Sequence, residues 1–259
     1  MLKNQRHCEL LDILKEDGFA SVRDLSERLY ASQPTVRRDL IYLEQHGYVR
    51  RNHGGAILAN GTVNTPIPFR KGTKPKEKAQ ICQLAATLLH PDTLIFTDAS
   101  TTAVHLVDYI KESDHISVLT NGMLMCHALA EKNFRTFMTG GRLLKDSEAF
   151  VGATAERTVR EFYADYFFVS AASISEDGVV SDYSEEETHL RRTMSKNSRK
   201  TVLLIEAGKF GTRSPFCVFT LAEVDFVVIN MELPSVLCEQ YHLTLTKKSD
   251  NVCLYQKNI

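Results

Sequence analysis

Residues 32–40 read Ser32-Gln33-Pro34-Thr35-Val36-Arg37-Arg38-Asp39-Leu40, and their pattern settles the architecture of the first part of the chain. Ser32 can cap a helix, and Pro34 is tolerated because the backbone N–H groups of a first turn have no intrahelical acceptor. Val36, Leu40 and the later Leu43 share one face at helical spacing. The sequence therefore predicts an amphipathic helix with arginines on its polar face.

Two further helices and a hairpin surround this helix. A first apolar stripe (Leu10, Leu11, Ile13 and Leu14) ends at Gly18, and Ser21 with Asp24 has the spacing of a capping box before a second helix. Residues 48–58 read as two short strands around the turn Asn52-His53-Gly54-Gly55. Three helices followed by such a hairpin predict a winged helix-turn-helix domain over residues 1–58.

Charge and side-chain type indicate what this domain binds. Between residues 33 and 56, four arginines stand against two carboxylates, although the whole chain carries a net charge of -1. A helix in the major groove presents its first turns to base edges, and arginine and glutamine are suited to read them. The predicted contacts to double-stranded operator DNA are Ser32, Gln33, Pro34, Thr35, Arg37, Arg38, Arg51 and His53. The alternative is a protein-interaction module with solvated arginines.

Composition limits the remaining classes of protein. The start of the chain has no apolar signal segment, and no uncharged apolar run is long enough to cross a membrane. The six cysteines are scattered without a C-x-x-C pair, which favours reduced packing residues over a zinc site or a disulfide framework. A cytoplasmic protein without a metal site or a cofactor is expected.

The remainder of the chain is predicted to form a second domain. Residues 59–75 change to a composition of Asn, Gly, Thr, Pro and basic residues, which is typical of a linker. Over residues 76–259, apolar strand patterns alternate with helical ones, which predicts an α/β domain with a mostly parallel sheet. The predicted strands are 93–97, 116–120, 135–139, 166–170, 201–205 and 226–229, and the predicted helices are 78–89, 101–111, 123–132, 155–161 and 185–198.

Four polar segments follow predicted strands of this sheet. They are Asp98-Ala99-Ser100-Thr101-Thr102, Thr120-Asn121-Gly122, Thr139-Gly140-Gly141-Arg142 and Glu206-Ala207-Gly208-Lys209-Phe210-Gly211. Ligands of open α/β sheets bind outside the carboxyl ends of the strands, and hydroxyls with free N–H groups at helix starts suit a phosphate. Each segment alone could be a cap, a turn or a solvated loop. Together they predict an anion-binding site.

A resemblance to the DeoR family of bacterial regulators rests on the first of these domains. Its residues are Thr35-Val36-Arg37-Arg38-Asp39-Leu40, Leu43-Glu44, Gly47, Arg51 and His53-Gly54-Gly55-Ala56, and only the usual Val-Ser pair is replaced, by Ala31-Ser32. The order of the later motifs resembles the C-terminal domain of the same family, which is similar in fold to ribose-phosphate isomerases. The likeness thus covers nearly the whole chain.

The resemblance implies an effector site for a phosphorylated sugar or a related metabolite. The residues it assigns to that site are Asp98, Ser100, Thr101, Thr102, Thr120, Asn121, Gly140, Gly141, Lys209 and Glu187. For Glu187, a solvated helix start is an equal alternative. The chain departs from the family pattern at Ser100, at Glu206 and Gly208, and at Ile229-Asn230.

The sequence accordingly predicts a transcription regulator, most simply a repressor of a carbohydrate operon that releases DNA when the effector binds. Activation in place of repression is the alternative that the sequence leaves open. A homodimer or homotetramer is expected because paired half-sites add weak contacts. The alternative is a sugar-phosphate isomerase-like enzyme with a DNA-binding head, for which Asp98, Glu206 and Lys209 are the candidate bases. No catalytic residue is assigned, because shared fold does not imply shared chemistry. A protein-only adaptor would show no salt-dependent DNA affinity.

Overall fold

The computed structural model describes residues 3–45, 48–52, 54–59 and 67–258. The chain divides into two compact units, residues 1–73 and residues 74–259, which we call unit 1 and unit 2. Unit 1 is mainly helical with a small sheet, and unit 2 is built on a mostly parallel sheet. The predicted α/β class is therefore confirmed.

Unit 1 has the helix, helix, helix and hairpin order that the sequence predicts. Its described elements are α1 (Lys3–Asp17), β1 (Phe19–Ser21), α2 (Val22–Arg28), α3 (Gln33–Gln45), β2 (Val49–Asn52), β3 (Gly55–Leu58) and α4 (Ile67–Lys71). The apolar stripes of α1, α2 and α3 meet in one core, in which Leu11, Leu25 and Leu40 are fully buried. The Ser21 side chain accepts from the Asp24 N–H and the Asp24 carboxylate accepts from the Ser21 N–H, which confirms the capping box.

Strand β1 was not anticipated from the sequence. It pairs antiparallel with β3, so the wing sheet has the order β1-β3-β2. A Cβ atom on Gly55 would lie 2.3 Å from the carbonyl oxygen of Ala20, so the two strands can approach only because residue 55 has no side chain. Three residues are too few for an alternating pattern to be recognised in the sequence.

Helix α4 lies within the stretch that the sequence predicts to be a linker. It spans Ile67–Lys71 and packs against α1, with Ile67 buried. A single helical turn is too short to show helical periodicity, which is why composition alone indicates a linker there. Residues 60–66 lie outside the described residues.

Unit 2 is built around a central sheet with helices on both faces. The described elements are α5 (Pro75–Ala85), β4 (Leu94–Thr97), β5 (Ser117–Thr120), α6 (Met123–Ala130), β6 (Arg135–Met138), β7 (Arg142–Leu144), β8 (Ala149–Val151), α7 (Ala153–Arg160), β9 (Ala164–Val169), β10 (Ser173–Ile174), β11 (Val179–Asp182), α8 (Glu185–Lys196), β12 (Ser198–Ile205), β13 (Phe216–Thr220), β14 (Phe226–Ile229), α9 (Ser235–Gln240), β15 (Leu243–Ser249) and β16 (Val252–Lys257).

The central sheet has the order β15-β16-β14-β12-β9-β4-β5-β6. The strands from β14 to β6 in this order are parallel. Strand β16 pairs antiparallel with β14, and β15 pairs antiparallel with β16. All the carboxyl ends of the parallel strands therefore meet at one edge of the sheet, which we call the carboxyl edge.

Both faces of this sheet are buried. Neighbouring residues alternate between two apolar clusters: Phe96 and Phe167 belong to one, and Ile95 and Phe168 belong to the other. A parallel sheet with both faces covered explains why its strands read as continuous apolar runs in the sequence.

Two parts of the secondary-structure prediction for unit 2 are wrong. The predicted helix 101–111 is instead a 3-10 helix over Ala103–Asp108. The segment contains Thr101, Thr102, Val104 and Val107, and β-branched side chains lose rotamer freedom in an α-helix. The short antiparallel strands of the β7-β8 hairpin and of the sheet β10-β11-β13 were also missed, as were β15 and β16.

Strand β15 forms one edge of the central sheet, and this edge is irregular. Its residues after Leu243 are exposed, its register against β16 shifts between Leu245 and Lys247, and Lys247 and Lys248 follow the shift.

Candidate functional site

Six of the eight residues predicted to contact DNA lie between Ser32, just before α3, and Arg38 in its second turn. Ser32, Gln33 and Pro34 are exposed, as are Arg37 and Arg38. The hydroxyls of Ser32 and Thr35 lie 2.9 Å apart, and the Arg38 guanidinium donates to the Thr35 hydroxyl at 3.4 Å. These polar groups are thus presented together on the surface of unit 1.

Asp39 is part of the same helix but faces the interior. Its carboxylate accepts from Arg6 at 2.5 and 3.1 Å and contacts the His7 ring at 2.8 Å. Burial by itself raises the pKa of Asp39, but the hydrogen bonds from Arg6 and His7 outweigh it, so the pKa lies below its ordinary value. Asp39 therefore joins α3 to α1 and subtracts little from the positive charge of the exposed face.

The wing is attached to α3 through Arg51. Its Nε donates to Glu44 at 2.6 Å, and its backbone N–H donates to the same carboxylate at 3.0 Å. The neighbouring Arg50 is exposed on β2. Within the described residues, Arg37, Arg38 and Arg50 make no ion pair. His53 and Gly47 lie outside the described residues.

The predicted effector residues of unit 2 gather at the carboxyl edge. Asp98–Thr102 follows β4, Asn121 follows β5, Gly140 and Gly141 follow β6, and Lys209 follows β12. Two glycines allow close approach: a Cβ on Gly122 would lie 2.7 Å from the Ala99 Cα, and one on Gly141 would lie 2.5 Å from the Val151 carbonyl oxygen. The loops after β4 and β5 are therefore packed directly against each other, and Gly141 lets the segment after β6 approach the end of β8.

Asp98 belongs to a buried cluster of charges around Arg191 of α8. The guanidinium lies 3.0 Å from Asp98, 2.9 Å from Asp182 and 3.6 Å from Glu187, and all four residues are at most 5% exposed. Burial by itself lowers the pKa of Arg191, but the three carboxylates outweigh it and raise the pKa above its ordinary value. Glu187 is thus buried beside Arg191 and is not a solvated helix start.

The Asp98 carboxylate also organises the loop that follows β4. It accepts from the backbone N–H groups of Ser100 at 3.2 Å and Ser170 at 3.3 Å. The Ser100 hydroxyl accepts from the Ala103 N–H at 3.0 Å, and the Thr120 hydroxyl accepts from the Gly122 N–H at 3.1 Å. Asp98, Ser100 and Thr120 therefore hold the loops in shape.

A second group of charges at this edge contains two lysines. Lys209 lies 3.4 Å from Glu206 and 3.3 Å from the Ser170 hydroxyl. Thr102 donates to Glu206 at 2.8 Å, and Lys78, which is only 3% exposed, donates to Thr101 at 3.1 Å. The site thus combines two ammonium groups with several hydroxyls.

Glu206 is ionised in this setting. Burial by itself raises its pKa, but the charges of Lys209 and Lys78 and the hydrogen bond from Thr102 outweigh burial and lower the pKa below its ordinary value. A carboxylate stabilised in this way is a weak base.

The start of α5 is attached to the same edge by a polar link. Glu77 accepts from the Asn230 side-chain N–H at 2.9 Å, and the Asn230 side-chain oxygen accepts from the Ala207 N–H at 2.7 Å. This link joins the first turn of α5 to the loop after β12, which also contains Lys209.

Lys78 and Arg191 were not predicted as site residues, although the sequence contains a signal for each. Lys78 occupies the apolar stripe of α5 with Ile81 and Cys82, and Arg191 occupies that of α8 with Met194. A charged residue at a core position of an amphipathic helix needs buried polar partners. Those positions mark both residues as needing buried partners, although they do not show which loops supply them.

No helix in the described residues is long and apolar enough to cross a membrane. In the same residues, no group of His, Cys, Asp and Glu side chains could hold a metal ion.

A winged helix-turn-helix with exposed arginines, followed by an α/β unit with a polar site at its carboxyl edge, defines a transcription regulator with a sensor domain. Comparison with known families agrees. The DeoR-like helix-turn-helix domain matches residues 6–62, and the DeoR C terminal sensor domain matches residues 73–231. The chain belongs to the DeoR family.

Relatives with known roles are similar along most of their length. The glycerol-3-phosphate regulon repressor of Escherichia coli is 28% identical over 90% of this chain and 93% of its own. The L-fucose operon activator of Haemophilus influenzae is 31% identical over 93% of this chain and 98% of its own. Among solved structures, ribose 5-phosphate isomerase A of Methanocaldococcus jannaschii is 13% identical over 72% of this chain and 82% of its own, with a TM-score of 0.42.

Proposed function

We propose that this protein is a repressor whose affinity for operator DNA is controlled by a phosphorylated sugar or a related phosphorylated metabolite. The observation that carries the proposal is the meeting of Lys78 and Lys209 with the hydroxyls of Thr101 and Ser170 at the carboxyl edge of unit 2. The buried Lys78 and the half-buried Lys209 are well suited to hold a phosphate, because charge-assisted hydrogen bonds are the strongest ones.

The DNA surface in this proposal is the start of α3, from Ser32 to Arg38, together with the wing. Arg37 and Arg38 read bases or clamp phosphates, Ser32, Gln33, Pro34 and Thr35 fit against the groove, and Arg50 adds charge from β2. Arg51 is already bound to Glu44, so we assign it the role of positioning the wing.

The effector site in this proposal divides the predicted residues into two roles. Thr101, Thr102, Lys78 and Lys209 surround the phosphate, while Asn121, Gly140 and Gly141 line the part that receives the rest of the molecule. Asp98, Ser100, Thr120 and Glu187 hold the loops and the Arg191 cluster in place.

In this proposal, helix α5 couples effector binding in unit 2 to DNA binding by unit 1. Unit 2 begins at Lys74, so the first turn of α5 directly follows the end of unit 1 in the chain. That turn contributes Lys78 to the phosphate site and Glu77 to the link with Asn230. A ligand that rearranges the loop after β12 would therefore shift the helix to which unit 1 is connected.

The protein is proposed to act as a homodimer or homotetramer, since two helices reading two half-sites multiply weak contacts. Size-exclusion chromatography with light scattering measures the number of chains in the oligomer. We propose repression and not activation. A reporter gene placed under a promoter that the protein binds tests this choice, because its expression should rise when the gene for the protein is deleted.

An isomerase activity is the second candidate, because Glu206 and Lys209 lie 3.4 Å apart at the proposed site. A general base works best with a pKa near the working pH, whereas the pKa of Glu206 is lowered. We therefore favour a regulator. Turnover of ribose 5-phosphate, followed by NMR, would support the enzyme instead.

The test of the effector proposal is a thermal-shift panel on the full chain. The panel contains glycerol 3-phosphate, ribose 5-phosphate, fructose 1-phosphate and fructose 6-phosphate, each beside its unphosphorylated parent. A ligand at 100 times its Kd stabilises the folded state by about 2.7 kcal/mol. Stabilisation by a phosphorylated compound but not by its parent supports the proposal, and stabilisation by none of the four contradicts it.

A further inference from the structure

The side chain of Asn121 contains a buried oxygen without a hydrogen-bond donor. Its Nδ2 donates to the Phe150 carbonyl oxygen at 3.1 Å. A carbonyl oxygen can only accept, so this contact fixes which end of the amide faces Phe150. The other end, Oδ1, has no partner among the described residues, and the residue is only 4% exposed.

Asn121 is held in place between two loops of the proposed effector site. Asn121 directly follows β5, which lies between β4 and β6 in the sheet. The next residue, Gly122, packs on Ala99 in the loop after β4, and the Thr139 N–H in the loop after β6 donates to the Thr120 carbonyl at 3.0 Å. The Asn121 backbone oxygen also accepts from the Phe150 N–H at 2.8 Å. Both the backbone and the side chain of Asn121 are therefore fixed.

A fixed and unpaired acceptor calls for a donor. Native structures leave few buried polar atoms unsatisfied, because an unpaired one costs free energy. The Asn121 amide cannot relieve this cost by rotating, since Phe150 holds its other end. A hydroxyl group is a suitable donor, whereas a phosphate oxygen, itself an acceptor, would be repelled.

We propose that Asn121 Oδ1 accepts a hydrogen bond from a hydroxyl group of the bound effector. Asn121 thereby selects hydroxyl-bearing phosphate esters over phosphate esters that carry none. This inference rests on the proposed function and assigns separate parts of the effector to separate residues. Lys78 and Lys209 recognise the phosphate, and Asn121 recognises the polyol.

The test compares two kinds of ligand on two variants of the full chain. The ligands are the tightest-binding ester of the four in the panel and propyl phosphate, which has a phosphate ester but no hydroxyl. The variants are Asn121→Ala and, as a matched control, Thr188→Val. Thr188 also has a buried oxygen without a partner among the described residues, but it lies on α8. Kd values come from titration calorimetry.

The wild-type protein should bind the panel ester at least tenfold more tightly than propyl phosphate, a comparison that needs no variant to fold. Asn121→Ala should weaken binding of the panel ester at least tenfold and change that of propyl phosphate less than twofold. Thr188→Val should change neither. A wild-type protein without preference, or an Asn121→Ala variant that weakens both ligands equally or neither, would overturn the inference.

Failure of the proposed function gives a different result. In that case the wild-type protein binds none of the four panel esters, and the inference falls with it. Tight binding of a panel ester without the selective effect of Asn121→Ala leaves the proposed function intact and refutes the role of Asn121 alone.

Discussion

Arg191 donates from Nε to the carboxylate of Asp98 at 3.0 Å, across a separation of 93 residues in the chain. Arg191 lies on α8 and Asp98 on the loop after β4, so one ion pair fixes the proposed site to a helix behind it. The same guanidinium also pairs with Asp182 and Glu187. The buried cluster therefore contains one cation and three carboxylates.

Removing the positive charge from this cluster should destabilise unit 2 strongly. Arg191→Met removes the cation that pairs with three buried carboxylates, and breaking a buried ion pair typically costs about 3–5 kcal/mol. The free energy of unfolding from urea denaturation measures the effect. Arg199→Met, at an exposed arginine of β12, is the control and should change it by less than about 0.5 kcal/mol. A loss below about 1 kcal/mol for Arg191→Met would show that the cluster tolerates its unbalanced charge.

The Asp39 carboxylate should make the stability of unit 1 depend on acid pH. Its pKa is lowered in the folded state, so the unfolded state binds the proton more readily. The stabilisation is therefore complete above the unfolded pKa of about 4 and is lost as the pH falls through the lower folded pKa. Asp39→Asn should cost about 1.5–3 kcal/mol at pH 7. Thermal denaturation between pH 7 and 2 should show the wild type and the variant converging at low pH, and a constant difference would argue against this cause.

Arg38 should contribute directly to operator affinity. Arg38→Ala should weaken binding by about 1–3 kcal/mol and relax specificity at one base position if the side chain reads a base. DNA fragments selected by the protein from a random library provide the ligand for fluorescence anisotropy. Arg160→Ala, at an exposed arginine of α7 in unit 2, is the matched control. Equal affinities for the wild type and Arg38→Ala would remove Arg38 from the interface.

Lys78 and Lys209 should both be needed for the response to effector. Lys78→Met and Lys209→Ala each remove a charge-assisted hydrogen bond, which is worth about 1.5–3 kcal/mol, so the Kd of the panel ester should rise roughly 10- to 150-fold. Titration calorimetry measures the change. Lys196→Ala, at an exposed lysine of α8, should have no effect. Unchanged affinity in both site variants would place the phosphate elsewhere.

The link between Glu77 and Asn230 should matter more for the effect of the ester on operator affinity than for the binding of the ester itself. Asn230→Ala removes both hydrogen bonds of the Asn230 side chain. We expect the Kd of the panel ester to change less than threefold, while the ester's effect on operator affinity falls by at least half. Anisotropy titrations with and without the ester measure the second quantity. A full response in this variant would mean that the signal takes another route.

The helices of unit 1 were predictable because each pairs an apolar stripe with a recognisable boundary residue, such as Ser21 before α2. The parallel strands were predictable because burial on both faces leaves continuous apolar runs. Strands of two or three residues, such as β1 and β10, are too short for any periodicity. Their pairing depends on contacts distant in the chain, for example the approach of Gly55 to Ala20.

The candidate site was partly predictable for a related reason. Loops after parallel strands must meet at one edge, so Asp98, Asn121 and Lys209 could be grouped from the sequence. Lys78 and Arg191 come from helices, and their spacing along the chain does not reveal which loop they face. The different orientation of Asp39 and Arg38, neighbours in the chain, also depends on where α1 packs.

The irregular outer strand β15 affects how the protein behaves in a crowded cell. An open sheet edge is a template on which the strand of another molecule can add, and repeated addition produces aggregates. The shift in register after Leu245 and the exposed charge of Lys247 disturb that template. A regulator that scans DNA for a few sites must remain dispersed to find them, so this edge helps to keep newly made molecules available for the search.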